Sequence, residues 1–204
     1  MSGMKPSSFA RLRCCQARSL AVVALVAMAS GLTGTFANAQ TADLISASER
    51  GDLPVVNAML SQGDVSVNAK RRDTGDAALL LASENGHLKV VQALLAAGAD
   101  VDAKGYGGFT ALIWASRRNH LEVVQALLAA KADVDATRND RGRTALLEAI
   151  DYDVREDHLD VVRALVEAGA NVNAIDGTGV TALIEAASRG RLAIAGSCSR
   201  PMPM

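Results

Sequence analysis

Residues 77–103 read AALLLASENGHLKVVQALLAAGADVDA, and residues 110–136 read TALIWASRRNHLEVVQALLAAKADVDA; the two align without a gap at an offset of 33 residues. Self-similarity at a fixed period of this length is the mark of a stacked repeat architecture and outranks any local propensity. Working outward, a further copy starts at Thr144 with TALLEAI and resumes at His158 with HLDVVRALVEAGANVNA, and another starts at Thr181 with TALIEAASRGRL. A weaker copy, LISASERGDLPVVNAMLSQGDVSVNAK from Leu44, precedes them all, with Gly51 and Asp52 where the next copy has Gly86 and His87.

Within a copy the apolar residues predict two short amphipathic helices. In the second copy Leu79, Ala82 and Ser83 form one stripe, and Leu88, Val91, Leu94 and Leu95 a second, at the i, i+3, i+6, i+7 spacing of a helix face. Thr110, Thr144 and Thr181 stand just before the first stripe, where a hydroxyl accepts from the unpaired amides of a first helical turn. Gly98 and Gly169 follow the second stripe, where a left-handed cap favours glycine. Lys131 occupies that place in the third copy, so strain is expected there. One helix pair cannot bury its own apolar face; three or more must stack.

The unit resembles the ankyrin repeat, with its T-P-L-H-x-A helix start, G-H-x-x-V-V-x-x-L-L second helix and G-A-x-x-N exit. The resemblance spans roughly residues 41–192 and implies an all-α solenoid of helix-turn-helix units joined by hairpin loops, with repeats near 41–71, 72–104, 105–138, 139–175 and a truncated 176–195, then a disordered tail over 196–204. After Leu192 the pattern fails, AIAGSCSRPMPM standing where V-V-x-x-L-L would continue. This end is expected to fray first, and it is poor in the charge that a terminal cap normally carries.

Composition agrees with a folded interaction module. Half of the residues are hydrophobic and 21% charged, while aromatics make up 3%, which suits thin layers of closely packed small side chains. The first 39 residues carry four bases (Lys5, Arg11, Arg13, Arg18) and no acid, and the rest of the chain has 17 bases against 22 acids. A mildly acidic body with few aromatics lacks the footprint of nucleic-acid binding.

Basic residues 1–18, the apolar run LAVVALVAMA over 20–29 and the small-x-small trio Ala37, Asn38, Ala39 predict a signal peptide over residues 1–39 and a mature chain from Gln40. The competing reading is a retained anchor, but ten strictly apolar residues fall short of the roughly twenty that a span requires. An organellar transit peptide would share the arginines but not the compact apolar core. No cysteine follows the run and no arginine pair precedes it, so lipoprotein and twin-arginine routes are not indicated. A periplasmic or secreted protein is expected, without membrane attachment after cleavage. Cys14 and Cys15 would leave with the leader, and Cys198 is read as a stray thiol near a frayed end.

Several residues invite chemistry. His87, His120 and His158 occupy equivalent places in successive copies, but stacked helices lie about 8–10 Å apart, too far for one ion with bonds of about 2 Å. Asp100 with Asp102 and Asp133 with Asp135, echoed by Asn171 with Asn173, fit side-chain to backbone turns better than a calcium loop, which needs more oxygen ligands. Gly105–Gly108 (GYGG) is read as a flexible turn between copies. There is no phosphate cradle, nucleophile elbow or Cys/His constellation; no enzyme, metal or cofactor is expected.

The resemblance implies instead that an unidentified protein partner docks on the concave side, on hairpin tips and exposed first-helix residues. Carried over position by position, this marks Asp73, Thr74, Asp76, Glu84 and Asn85; then Tyr106, Phe109, Arg117 and Arg118; then Asp140, Arg141, Arg143, Asp151 and Tyr152; then Thr178, Val180, Ser188 and Arg189. Tyr106, Phe109, Arg117, Arg118 and Tyr152 are of the types that most often become hot spots, whereas Trp114 is expected in the core. The fourth copy carries four extra residues between its helices, in the stretch DYDVRED over 151–157, and such loops often take part in recognition. The leading expectation is an exported monomeric adaptor or modulator; the alternative is a secreted effector acting on a host protein.

Overall fold

A computed structural model of the chain describes residues 44–63, 65–138, 141–151 and 158–198, all within the second of two units, Gln40–Met204. Among the described residues ten α-helices follow in pairs: α1 (44–50) and α2 (Leu53–Ser61), α3 (Ala78–Glu84) and α4 (Leu88–Ala96), α5 (Ala111–Arg117) and α6 (Leu121–Ala129), α7 (Ala145–Asp151) and α8 (Leu159–Glu167), α9 (Ala182–Ser188) and α10 (Leu192–Cys198). First helices stack on first helices and second on second along the chain. The architecture is the expected all-α stack. No described helix is long and apolar enough to cross a membrane; the apolar run over 20–29 lies outside the described residues.

The repeated apolar residues form one continuous core. Leu79, Leu112 and Leu146 of the first helices and Val91, Val124 and Val162 of the second are almost completely buried. The threonine caps form as expected, each hydroxyl accepting a long bond from the amide three residues on: Ile113 to Thr110 at 3.3 Å, Leu147 to Thr144 and Ile184 to Thr181 at 3.4 Å. The helix-ending glycines adopt left-handed backbone, Gly98 at φ 84° and Gly169 at φ 93°, and Lys131 is held there too at φ 67°. A side chain with a Cβ pays about 1 kcal/mol for that conformation.

Between repeats the chain doubles back. Lys70 pairs with Ala77 and Thr137 with Thr144 in isolated antiparallel bridges, and there is no strand among the described residues. The Asp and Asn pairs are turn formers: Asp102 N–H donates to Asp100 Oδ1 at 3.1 Å, Asp135 N–H to Asp133 Oδ1 at 3.1 Å and Asn173 N–H to Asn171 Oδ1 at 3.0 Å. They also link neighbours. Asp100 N–H donates to Asn68 Oδ1 (2.7 Å), Asp133 N–H to Asp102 Oδ1 (2.9 Å) and Asn171 N–H to Asp135 Oδ1 (2.8 Å), one unbroken ladder across four repeats.

Residues 106–108 form a single 3-10 turn between copies, with Gly107 at φ 62° and Gly108 at φ 77°. Gly105 is required by close approach, because a Cβ there would come within 2.1 Å of Asp76 Oδ1. At the C-terminal end, α10 runs to Cys198, three residues beyond the expected limit at 195, and Cys198 is buried in it. Burial pushes its thiol pKa up, which keeps the sulfur protonated and unreactive. The isoleucine and cysteine at Ile194 and Cys198, four residues apart, supply the inward stripe that the consensus valines and leucines supply elsewhere.

Candidate protein-binding face

Leu81, Trp114, Glu148 and Glu185 are equivalent positions of the first helices, and hairpin residues fold back against Trp114 and Glu148. In the third repeat this contact is aromatic. Phe109 is 5% exposed and lies flat on Trp114, ring centroids 4.0 Å apart and planes 13° from parallel. Phe109 is therefore not a surface residue, contrary to expectation, and Trp114 is only partly buried: the residue before the cap tucks under the helix and lifts the indole to the rim. The stack is flanked by guanidinium groups. Arg138 lies 4.1 Å from the Phe109 centroid, Arg118 5.9 Å from that of Trp114, and Arg117 5.6 Å from both, within the range of cation–π attraction.

The fourth repeat makes the same contact with charge. Glu148 is 3% exposed; its carboxylate accepts from Arg138 at 2.8 Å and Arg143 at 3.0 Å, and lies 3.8 Å from Arg117. Arg143, with a side chain 11% exposed, also pairs with Asp151 (2.9 Å) and Asp176 (3.4 Å) and donates to the Leu147 carbonyl at 3.2 Å. Asp151 continues to Arg189, which pairs with Glu185 at 2.7 Å. The Thr178 hydroxyl, helped by the Val180 and Thr178 amides and by Arg143, holds the Asp176 carboxyl below the usual range against the opposing effect of burial. Bonding to Glu185 and the charge of Asp151 raise Arg189. Four arginines (Arg117, Arg138, Arg143, Arg189) thus face four carboxylates.

Other marked residues divide in two. Asp76 is 9% exposed and its Oδ1 accepts the Tyr106 amide at 2.9 Å, pinning one hairpin to the next. It and Arg143 are structural, Asp76 being bonded to the hairpin that follows and Arg143 to Glu148 and Asp151 of its own repeat and Asp176 of the next. Arg189 and Glu84 are half-buried, and Glu84 pairs with Arg118 at 2.7 Å. Asp73, Tyr106, Arg118 and Arg141 remain exposed, Tyr106 at 71%. Asp140 and Tyr152, with the rest of the insertion over 152–157, lie outside the described residues.

The family described as ankyrin repeats (3 copies) matches residues 44–138 and 106–176, which together span more than half of the chain. The chain belongs to the ankyrin-repeat family. Ankyrin repeats generally mediate protein–protein interaction, and the family is typically a non-enzymatic module. No curated protein matches the chain significantly.

The histidines of these ankyrin repeats are structural. His87 packs on Gly51 with Nε2 3.1 Å from the Glu49 carbonyl, and His120 packs on Gly86 with Nε2 3.0 Å from the Glu84 carbonyl. His158 instead sets Nδ1 2.7 Å from Ala149 O of its own repeat. No group of three or more His, Cys, Asp or Glu able to hold a metal is found among the described residues. Sequence reasoning missed Glu148, Arg138 and Asp176. Glu148 had a legible signal, a carboxylate at a position that is Leu81 and Trp114 in earlier repeats.

Proposed function

We propose that this ankyrin-repeat protein is an exported adaptor or modulator that binds a partner protein on its concave side, through the hairpin tips and first-helix ends of repeats two to four. The observation that carries the reading is Tyr106: a large aromatic side chain 71% exposed on a hairpin whose backbone is fixed by the Asp76 bond and by Gly105. Holding an aromatic anchor in place before contact lowers the entropy that binding must overcome. Arg118 and Arg141 lie exposed in the same stretch, and Arg118 is aligned by Trp114 and Glu84, so the surface offers oriented charges around one ring.

Export rests on the leader: residues 1–39 direct the chain to the periplasm or the outside, and Gln40 begins the mature protein. A photoreactive phenylalanine analogue at position 106 tests the face in the native compartment. Discrete adducts with one protein are expected from position 106 and not from position 125 on the outer side of α6; equal capture at both places would remove the reading. Fractionation with N-terminal sequencing tests the address, an unprocessed cytoplasmic chain being the contrary result.

A further inference from the structure

The face that carries Tyr106 pairs arginines with carboxylates but does not present the two equally to water. Side-chain exposure is 38% for Arg118 against 22% for Glu84, and 27% and 17% for Arg117 and Arg138 against 4% for Glu148. Asp176 likewise lies deeper than Arg143. Asp151 is more exposed than Arg143, and it is held by both Arg143 and Arg189. The asymmetry has a local cause. Glu148 stands in the first helix at the place of Trp114, and arginines from the preceding helix end and hairpin cover it with their stems while their charged heads reach towards water.

Arg141 adds a positive charge that no described carboxylate neutralises. It is exposed at the tip of the hairpin closed by the Arg138 amide and the Arg143 carbonyl at 3.1 Å. Its backbone is fixed, because its carbonyl accepts from the Gly177 amide at 2.7 Å. Arg138 of this hairpin lies over Phe109, which closes the preceding hairpin by accepting from the Gly105 amide at 2.9 Å. Tyr106 and Arg141 therefore stand on neighbouring tips, both held in place. Arg118 lies against the Trp114 ring on which Phe109 stacks. Asp73, on the tip before Tyr106, is the exposed acid at the edge of this surface, and its Oδ1 accepts the Thr74 amide at 2.9 Å.

We infer that the partner segment received on this face is acidic, with carboxylates meeting Arg118 and Arg141 and an apolar side chain meeting Tyr106. The inference rests on the partner-binding reading and adds to it the sign of the partner's charge. A guanidinium donates two parallel bonds to a carboxylate, and complementary charge selects partners and speeds their encounter. Glu84 holds Arg118 in place before contact at 2.7 Å, so less side-chain freedom is lost on binding. A continuous phosphate backbone fits less well, because Glu84 and Asp73 interrupt the positive surface.

Fluorescence anisotropy of the purified chain with a labelled peptide of glutamates around one phenylalanine tests this, the same peptide with lysines being the opposite probe. The acidic peptide should bind, more weakly as salt rises, and the lysine peptide should not. Arg141→Glu should weaken binding about fivefold and Asp73→Lys should tighten it; both side chains are exposed, and unchanged circular dichroism checks the fold. Arg163→Glu, on the exposed side of α8, should leave binding unchanged. Shifts of one sign in Arg141→Glu and Asp73→Lys would overturn the inference, as would tighter binding of the lysine peptide or of single-stranded DNA. A discrete adduct from position 106 with a basic or uncharged partner segment would also overturn it, leaving the partner reading intact; equal capture at positions 106 and 125 would remove both.

Discussion

Ser48, Ser83 and Ser116 occupy one position in three successive first helices, each is 0% exposed, and each hydroxyl oxygen lacks a hydrogen-bond partner. A buried hydroxyl left unpaired costs about 1–3 kcal/mol of lost hydration. The same position holds Ile150 in the fourth repeat, also 0% exposed, so it accepts an apolar side chain. Replacing serine by alanine removes one oxygen, leaves too small a gap to weigh against the recovered desolvation, and adds a few tenths of a kcal/mol of helix propensity. We expect Ser83→Ala to stabilise the domain by about 1 kcal/mol, or about 2–4 °C in melting temperature for a domain of this size.

The three serines are a full repeat apart, about 8–10 Å, so their effects should add, giving about 3 kcal/mol for the triple variant. Urea unfolding followed by circular dichroism measures this directly. The stack must first show one transition by two probes, because long repeat arrays lose cooperativity. A Ser83→Ala variant less stable than the parent would refute the reasoning, since it would mean that the hydroxyl makes a favourable bond. Gains confined to one site would refute the equivalence of the three positions.

Lys131→Gly should stabilise by about 1 kcal/mol, because φ 67° is free for glycine and strained for lysine; thermal melts decide it. Arg143→Ala should destabilise by about 2 kcal/mol, since it removes charge-assisted bonds to Glu148 and Asp176, both nearly buried, while Arg138 stays on Glu148 and Thr178 on Asp176; an effect under about 0.5 kcal/mol, as for a surface ion pair, would contradict the buried geometry. Asp176 gives a pH signature: its folded pKa is depressed, so its contribution is present above the unfolded value near pH 4 and is lost as pH falls through the lower folded value. Asp176→Asn should flatten the stability profile below about pH 4 and leave its slope near pH 7 unchanged.

How far the sequence could be read depended on where the cause of each feature lies along the chain. Helix faces, threonine caps and left-handed exits follow from residues within a few positions of one another, and Thr110, Thr181, Gly98 and Lys131 were legible for that reason. Features made between repeats depend on residues 30 to 38 apart. The Asn68 to Asn171 ladder, the Asp76 to Tyr106 bond and the Arg143 to Asp176 pair were therefore hidden, while the Phe109–Trp114 stack and the Arg143–Glu148 pair join residues only five apart; exposure was assigned wrongly to Phe109, Asp76 and Arg143. A carboxylate or aromatic on a hairpin reads as surface until the next repeat is placed over it.

His158 shows that even such long-range features can be argued once the contact is known. His87 and His120 sit where glycine leaves room: a Cβ on Gly51 or Gly86 would come within 2.6 or 2.7 Å of the imidazole. The third repeat has Asn119 at that place, held left-handed at φ 61° like the glycines. His158 sets Nδ1 against Ala149 O in its own first helix, and the same repeat is the one lengthened by four residues between its helices. His158 thus makes an intra-repeat bond at this junction, while Glu148 and Asp151 tie the fourth repeat to its neighbours through arginine. The four extra residues thus enter a repeat whose first helix is held on both sides by ion pairs, Glu148 to Arg117 and Arg138 of the preceding repeat and Asp151 to Arg189 of the following one, and a longer loop between helices costs little where the flanking helices are fixed in this way.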